Sequence, residues 1–213
     1  MKKPLIERQK STIMLNQEDF TEYMKYFLEE NAKINLISKN EENFLWEKHI
    51  YDSLAIEFFF KKYINNLKGK NLIDIGTGGG FPALPIAIVY PDLKVTALDS
   101  IEKKLRAIER ISSNLKIKNL KTVCTRAENH KKKYDISTSR AVGKLSLIVK
   151  YAMPLLKKGG YFVAYKSKLA KEEIEDAHEI IKKYSGEIKE IISYELPTEE
   201  HFERNLIIIQ KTT

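Results

Sequence analysis

The chain has 213 residues, 43% of them hydrophobic, and a formal net charge of +8. That apolar content supplies a buried core and excludes a disordered polypeptide, and the single cysteine, Cys124, excludes an intrachain disulfide and fits a reducing compartment. No run is long and apolar enough for a bilayer helix, and none has the order of a secretory leader, so a cytoplasmic protein without a membrane partner is expected.

The charge is unevenly placed. Residues 1–50 carry 8 Lys/Arg against 9 Asp/Glu, residues 51–100 carry 5 against 5, and residues 151–213 carry 10 against 11. Residues 101–150 carry 14 against 4, so the whole excess sits in one quarter of the sequence. Lysines that merely decorate solvated faces would spread more evenly. A localised positive field favours a polyanionic partner, most often nucleic acid.

Residues 1–62 contain no glycine and read as an N-terminal helical extension packed on the same domain as residues 63–213. Leu15, Phe20, Tyr23, Met24, Phe27 and Leu28 share one helical face. Phe44, Leu45, His49, Asp52, Ser53 and Ile56 belong to a second helical stretch, in which His49 and Asp52, three apart, read as a structural pair rather than as RNA ligands. Tyr23, Phe27 and Trp46 are assigned to the core of this cap. From Asn71 onward strands and helices alternate, as in a parallel sheet covered by helices. Asn71 to Ile75 is a strand, followed by a glycine loop and a helix over Phe81 to Tyr90, with Pro82 and Pro85 near its first turn. Lys94 to Leu98 is the next strand, ending in Asp99. Ile101, Leu105, Ile108, Ile111 and Leu115 mark a helix whose outer face carries Lys103, Lys104, Arg106 and Arg110. Leu120 to Cys124 and Tyr134 to Ser137 are strands, and Leu145 to Leu156 is a helix stopped by Gly159 and Gly160. Tyr161 to Lys166 is a strand, Ala170 to Tyr184 a charged helix, and Ile188 to Tyr194 pairs antiparallel with Asn205 to Gln210. The expected fold class is α/β: a mostly parallel, seven-stranded, Rossmann-like sheet flanked by helices.

The chemistry is concentrated in a strand, then Asp74-x-Gly76-x-Gly78-x-Gly80, then a helix, then a strand ending in Asp99. Gly76 and Gly78 allow a tight turn and close approach of backbone to a ligand. The helix beginning beside the loop offers unpaired N–H groups. Asp99, 23 residues after Gly76, is placed to accept hydrogen bonds from ribose hydroxyls. Together these features point to a nucleoside cofactor. For a dinucleotide, a third glycine is expected where Phe81 stands, and the carboxylate of Asp74 is awkward beside a pyrophosphate. A ligand carrying an ammonium and a sulfonium suits Asp74 better, so S-adenosylmethionine and methyl transfer are expected over hydride transfer.

The run from Leu72 to Ile88, with its Gly80-Phe81-Pro82-Ala83-Leu84-Pro85 segment, resembles the signature of the RsmG (GidB) family of bacterial methyltransferases. Lys33-Ile34-Asn35-Leu36, Lys48-His49 with Asp52-Ser53-Leu54, Leu98-Asp99-Ser100, Arg126-Ala127-Glu128, Ser139-Arg140-Ala141-Val142 and Tyr165-Lys166 follow in the family's order. The resemblance therefore covers nearly the whole chain. Ala83 and Ser167 depart from it where glycine is usual, which bears on local loop shape. The resemblance implies the class I methyltransferase fold and methylation of guanine N7 in the 530 loop of 16S ribosomal RNA, presented as RNA or as the 30S particle. It implies that Gly76 and Phe81 line the cofactor, that Asp99 binds the ribose, and that Ala127 and Glu128 lie beside the adenine. With Asp74, Gly78 and Arg140 these make the expected cofactor set. Arg140 is expected to hold the cofactor or a phosphate, because a bidentate grip on O6 and N7 would block the nucleophile. Lys103, Lys104, Lys131, Lys132, Lys133, Arg140 and Lys166 are the candidate RNA contacts. No general base, no metal and a monomeric chain are expected. The alternatives are a Rossmann-type methyltransferase acting on another RNA, a protein or a small molecule, or a nucleic-acid-binding module with an idle pocket.

Overall fold

The computed structural model describes residues 5–8, 15–200 and 202–213. Of the extension expected over 1–62, residues 1–4 and 9–14 lie outside the described residues. Strand β1 (Leu5–Arg8) is followed by a short 3-10 turn and helix α1 (Thr21–Ile34). The entry to α1 is set by a reciprocal cap, in which Asn16 Oδ1 accepts from Asp19 N and Asp19 Oδ2 from Asn16 N. Asn35, in the left-handed region at φ 52°, ends the helix. The second helical stretch is not one regular helix. A 3-10 segment (Lys39–Phe44) leads into a π-helical turn (Leu45–Tyr51), then α2 (Asp52–Leu54) and α3 (Ile56–Tyr63). π-Turns are rare and gather at functional sites; this one carries Lys48 and His49.

The sheet follows with β2 (Asn71–Ile75), α4 (Ala83–Val89), β3 (Lys94–Asp99), α5 (Glu102–Asn114), β4 (Leu120–Cys124) and β5 (Tyr134–Arg140). Then come α6 (Leu145–Ala152), β6 (Leu156–Lys166), α7 (Ala170–Lys183), β7 (Gly186–Glu195) and β8 (Glu203–Lys211). The strand order is β1-β7-β8-β6-β5-β2-β3-β4, parallel except where β8 lies antiparallel between β6 and β7. The seven strands read from the periodicity are all present. An eighth, β1, pairs parallel with β7 from Leu5 against Glu190 to Arg8 against Ser193, and so covers what would be an open sheet edge. Helix α6 stops at Ala152, earlier than expected, because Pro154 has no N–H to continue it; a 3-10 turn carries the chain into β6.

Alternation along the strands separates two cores. Leu72, Val163 and Ile208 join the cluster under α3, α4 and α5, while Ile73, Phe162 and Ile207 join the one under α6 and α7. Phe20, Tyr23 and Phe27 of the N-terminal segment lie in the first cluster with Phe81 and Leu84. The helical extension and the sheet thus share one continuous interior. Among the described residues no helix is long and apolar enough to cross a membrane.

Candidate active site

The carboxyl ends of β2, β3 and β5 bring the chemistry together, at the edge where open α/β sheets place ligands. The turn after β2 is fastened to β3, with Gly76 N and Thr77 N both donating to Leu98 O at 2.9 and 3.0 Å. Gly76 has φ +69°, and a Cβ there would lie 2.7 Å from Val142 Cγ2, so turn and packing both require glycine. Asp99 fixes the same loop from the neighbouring strand. Its Oδ2 accepts from Gly78 N and its Oδ1 from Ile101 N, each at 2.9 Å.

A cavity of about 700 Å³ opens over this loop. Gly76, Gly78, Phe81, Asp99, Ala127, Glu128 and Arg140 line it, joined by Glu41, His49, Lys104 and Val142. Asp74 does not line it. Its carboxyl is fully buried beneath the loop, where Oδ1 accepts from Thr138 Oγ1 at 2.9 Å and Oδ2 has no partner. The expected contact of Asp74 with a ligand ammonium is therefore not offered by this wall, which is made of loop backbone. Burial raises the Asp74 pKa to about 7, with the Thr138 hydroxyl and the Arg140 charge acting the other way.

Arg140, the last residue of β5, is the structural hub. Its Nη1 donates to Lys48 O at 2.8 Å and to Asp52 Oδ2 at 2.9 Å, and its Nη2 lies 2.9 Å from His49 Nδ1. Its guanidinium stands 5.2 Å from the centre of the Phe81 ring. Because Arg140 can only donate, His49 Nδ1 must accept, which leaves the proton of a neutral ring on Nε2. Burial and the Arg140 charge push His49 down to about 4, consistent with that neutral form. Its Nε2 makes no hydrogen bond and sits 3.6 Å from Glu41 Oε1. Tyr194 OH donates to Asp52 Oδ1 at 2.6 Å and Tyr165 OH to Ser53 O at 2.7 Å, tying the helical extension to β6 and β7. His49 and Asp52 thus act as a pair through Arg140. Sequence spacing shows that they share a helix face, but not that a residue about 90 positions later joins them.

Glu41, His49, Arg140 and Ala141 also line a second cavity of about 370 Å³, bounded further by Lys48, Lys166 and Arg204. Lys166 is held there by Glu173 Oε2 at 2.7 Å and Gly143 O at 2.5 Å. Lys104 lines the first cavity, and Lys103 is exposed on the same helix. The tri-lysine segment is elsewhere. The chain after Glu128 runs back to the opposite edge of the sheet to begin β5, so Lys132 and Lys133 lie away from the cavity, while Lys131 reaches back only to Glu128 O. Proximity to Glu128 in sequence does not become proximity to the cavity in space.

The sequence profile described as rRNA small subunit methyltransferase G matches residues 16–205, most of the chain. The chain belongs to this family. The ribosomal RNA small subunit methyltransferase G of Bacillus licheniformis is 41% identical over 200 residues, covering 91% of this chain and 82% of that protein. Among solved structures, the precorrin-6y C5,15-methyltransferase of Geobacter metallireducens aligns with a TM-score of 0.56 at 18% identity, over 84% of this chain and 92% of that one. An S-adenosylmethionine-dependent O-methyltransferase of Thermotoga maritima aligns with a TM-score of 0.55 at 17% identity, over 76% of this chain and 65% of that one. At such identities these two speak for the fold alone: the Rossmann-like, class I methyltransferase sheet. In this chain of the methyltransferase G family, Arg140 lines both cavities at the carboxyl ends of the strands.

Proposed function

We propose that this chain transfers a methyl group from S-adenosylmethionine to N7 of a guanosine in 16S ribosomal RNA, as free RNA or in the 30S particle. One observation carries the reading: the loop cavity and the second cavity share Glu41, His49, Arg140 and Ala141 as a common wall. A donor in the first and a base in the second would meet across that wall.

The loop cavity fits the cofactor. A Cβ at Gly78 would find only Gly76 O, at 3.9 Å, so the wall has open space beside it that glycine leaves free. Asp99 would take the ribose hydroxyls with the lone pairs that its two backbone N–H partners leave over. Ala127 and Glu128 would border the adenine, and Gly76 and Phe81 the rest of the molecule. When bound, S-adenosylmethionine supplies an electrophilic sulfonium methyl.

Guanine N7 carries an in-plane lone pair and no proton, so no side chain has to remove one. The chain's part is to align the reacting atoms and exclude water. His49, neutral and committed to Arg140 through Nδ1, suits a wall rather than a base. Arg140 spends three of its five N–H donors on Lys48, His49 and Asp52, which leaves two for a ligand. We assign the reaction to the cytoplasm and to a single chain.

The test supplies methyl-labelled S-adenosylmethionine with 30S subunits, naked 16S RNA and bulk protein in parallel. Label is expected in the RNA, as 7-methylguanosine after nuclease digestion. Label only in protein overturns the choice of acceptor, and absence of cofactor binding in calorimetry overturns the choice of cofactor. Asp99→Asn removes one acceptor oxygen from loop and ribose together. Cofactor affinity should fall about tenfold or more, the worth of a hydrogen bond to a charged group; unchanged affinity would contradict the placement.

A further inference from the structure

Most of the positive charge of residues 101–150 does not line the loop cavity, whose basic residues from that stretch are Lys104, Arg126 and Arg140. Strand β3 begins at Lys94, and its backbone N–H bonds Lys70 O at 3.0 Å across to the segment before β2. Lys94 and Thr96 lie on one face of the sheet by alternation, and Lys121 of β4 is the direct register partner of Thr96. The segment 130–133 crosses onto the same region. There Lys132 Nζ stands 5.4 Å from the centre of the Tyr134 ring, and His130 Nε2 lies 2.9 Å from Tyr134 OH. Lys157, at the start of β6, borders the group and pairs with Asp135 at 2.9 Å.

The balance of charge here is lopsided. Asp135 is already satisfied by Lys157 and by Asn71 N, and Asp92 stands exposed in the turn before β3. Among the described residues, no carboxylate lies within ion-pair distance of Lys94, Lys121 or Lys132, and all three are exposed. The field they create is felt locally: burial together with the charges of Lys121 and Lys132 lowers the pKa of His130, and Lys132 is itself lowered by burial and then by Lys121, Lys94 and Lys157. Like charges gathered without counter-charges favour an external polyanion.

We propose that the Lys94–Lys121–Lys132 face is a second contact for the phosphate backbone of the RNA substrate, on the opposite edge of the sheet from the cavity. It rests on the reading that the acceptor is RNA, and adds that the RNA reaches around the sheet edge at β4. An anionic membrane surface fits less well. Interfacial binding draws on exposed apolar side chains, and the large ones among the described residues, Phe44, Ile101, Leu147 and Leu169, belong to the helical extension and to segments following the carboxyl ends of strands. Backbone binding without base contacts needs only positive charge at suitable spacing.

The experiment compares the full-length wild type with the triple variants Lys94→Gln, Lys121→Gln, Lys132→Gln and Lys94→Arg, Lys121→Arg, Lys132→Arg. Binding to 16S RNA is measured across 50–300 mM salt, beside methylation kinetics and cofactor calorimetry. For the glutamine triple, RNA affinity should fall about tenfold or more, and the log–log salt slope should shrink by about 2 to 3. KM for RNA should rise while kcat and cofactor affinity stay unchanged; the arginine triple should match the wild type. Unchanged RNA affinity and slope in the glutamine triple overturn the proposal, as do equal losses in both triples, which would assign the effect to packing rather than charge. Tighter binding to phosphatidylglycerol vesicles than to RNA, lost in the glutamine triple, would overturn it in favour of a membrane. Failure of the wild type to methylate any RNA would instead be a failure of the acceptor assignment, read from the methylation arm.

Discussion

Arg140→Ala is expected to lower the rate of methyl transfer by at least about 10²-fold, the scale of losing a preorganised polar group at a reacting centre. It should destabilise the fold as well. Asp52 is 3% exposed, and its Oδ2 is held by Arg140 while its Oδ1 takes the Tyr194 hydroxyl. Without the guanidinium, a buried carboxylate and the His49 Nδ1 acceptor lose their partner together, and breaking a buried pair from one side costs about 3–5 kcal/mol. Arg140→Lys separates the two effects. An ammonium can still neutralise Asp52, but cannot hold Lys48 O, Asp52 and His49 at once in one plane. The lysine variant should therefore recover much of the stability in a denaturant titration while single-turnover methylation stays slow. Methylation by Arg140→Ala within threefold of wild type would remove Arg140 from the centre of the site. Full activity of Arg140→Lys would reduce its role to charge alone.

The two halves of this site differ in how legible they were. The glycine loop and Asp99 could be read from the chain because each is local: a strand, a turn that demands positive φ at Gly76 and Gly78, and an acid closing the next strand. The parallel sheet was readable for the same reason, each strand carrying its own apolar run and each helix its own stripe. Arg140 was readable only as a strand-end arginine. Its partners lie at positions 48, 49 and 52, brought to it by a π-helical turn that no periodicity distinguishes from an ordinary helix. Strand β1 is not legible in the sequence, because four residues carry no period and its partner β7 is about 180 residues away. The tri-lysine segment is a different case, since its adjacency to Glu128 along the chain does not become adjacency to the cavity, the chain there crossing to the other end of the strands. The charge of Asp74 alone suggests a partner for a ligand ammonium, but charge does not say where a side chain points; in the fold it lies buried, with Thr138 Oγ1 donating to it.

That burial makes Asp74 the source of the second large effect, a dependence of stability on pH. The group's folded pKa of about 7 exceeds the value of 3.8 for an unstructured carboxyl, so the folded state holds the proton more tightly. Its contribution to stability is complete below about 3.8, where both states are protonated, and is lost as pH rises through about 7. Within that window the loss approaches about 1.4 kcal/mol per pH unit. Asp74→Asn keeps an oxygen for the Thr138 hydroxyl and removes the titration. The stability of the variant relative to the wild type, from denaturant melts at pH 5, 6, 7 and 8, should climb across this range and level off above pH 7. Parallel curves would mean that the carboxyl is already ionised at pH 5. The same group couples the fold to the ligand. A cation bound over the loop favours the ionised form of the carboxyl beneath it, so S-adenosylmethionine binding near pH 6 should release a fraction of a proton. Calorimetry in two buffers of different ionisation heat measures that release directly, and Asp74→Asn should abolish it. A wild type that binds cofactor with no proton release would leave Asp74 as a buried acid of the core, electrically separate from the site above it.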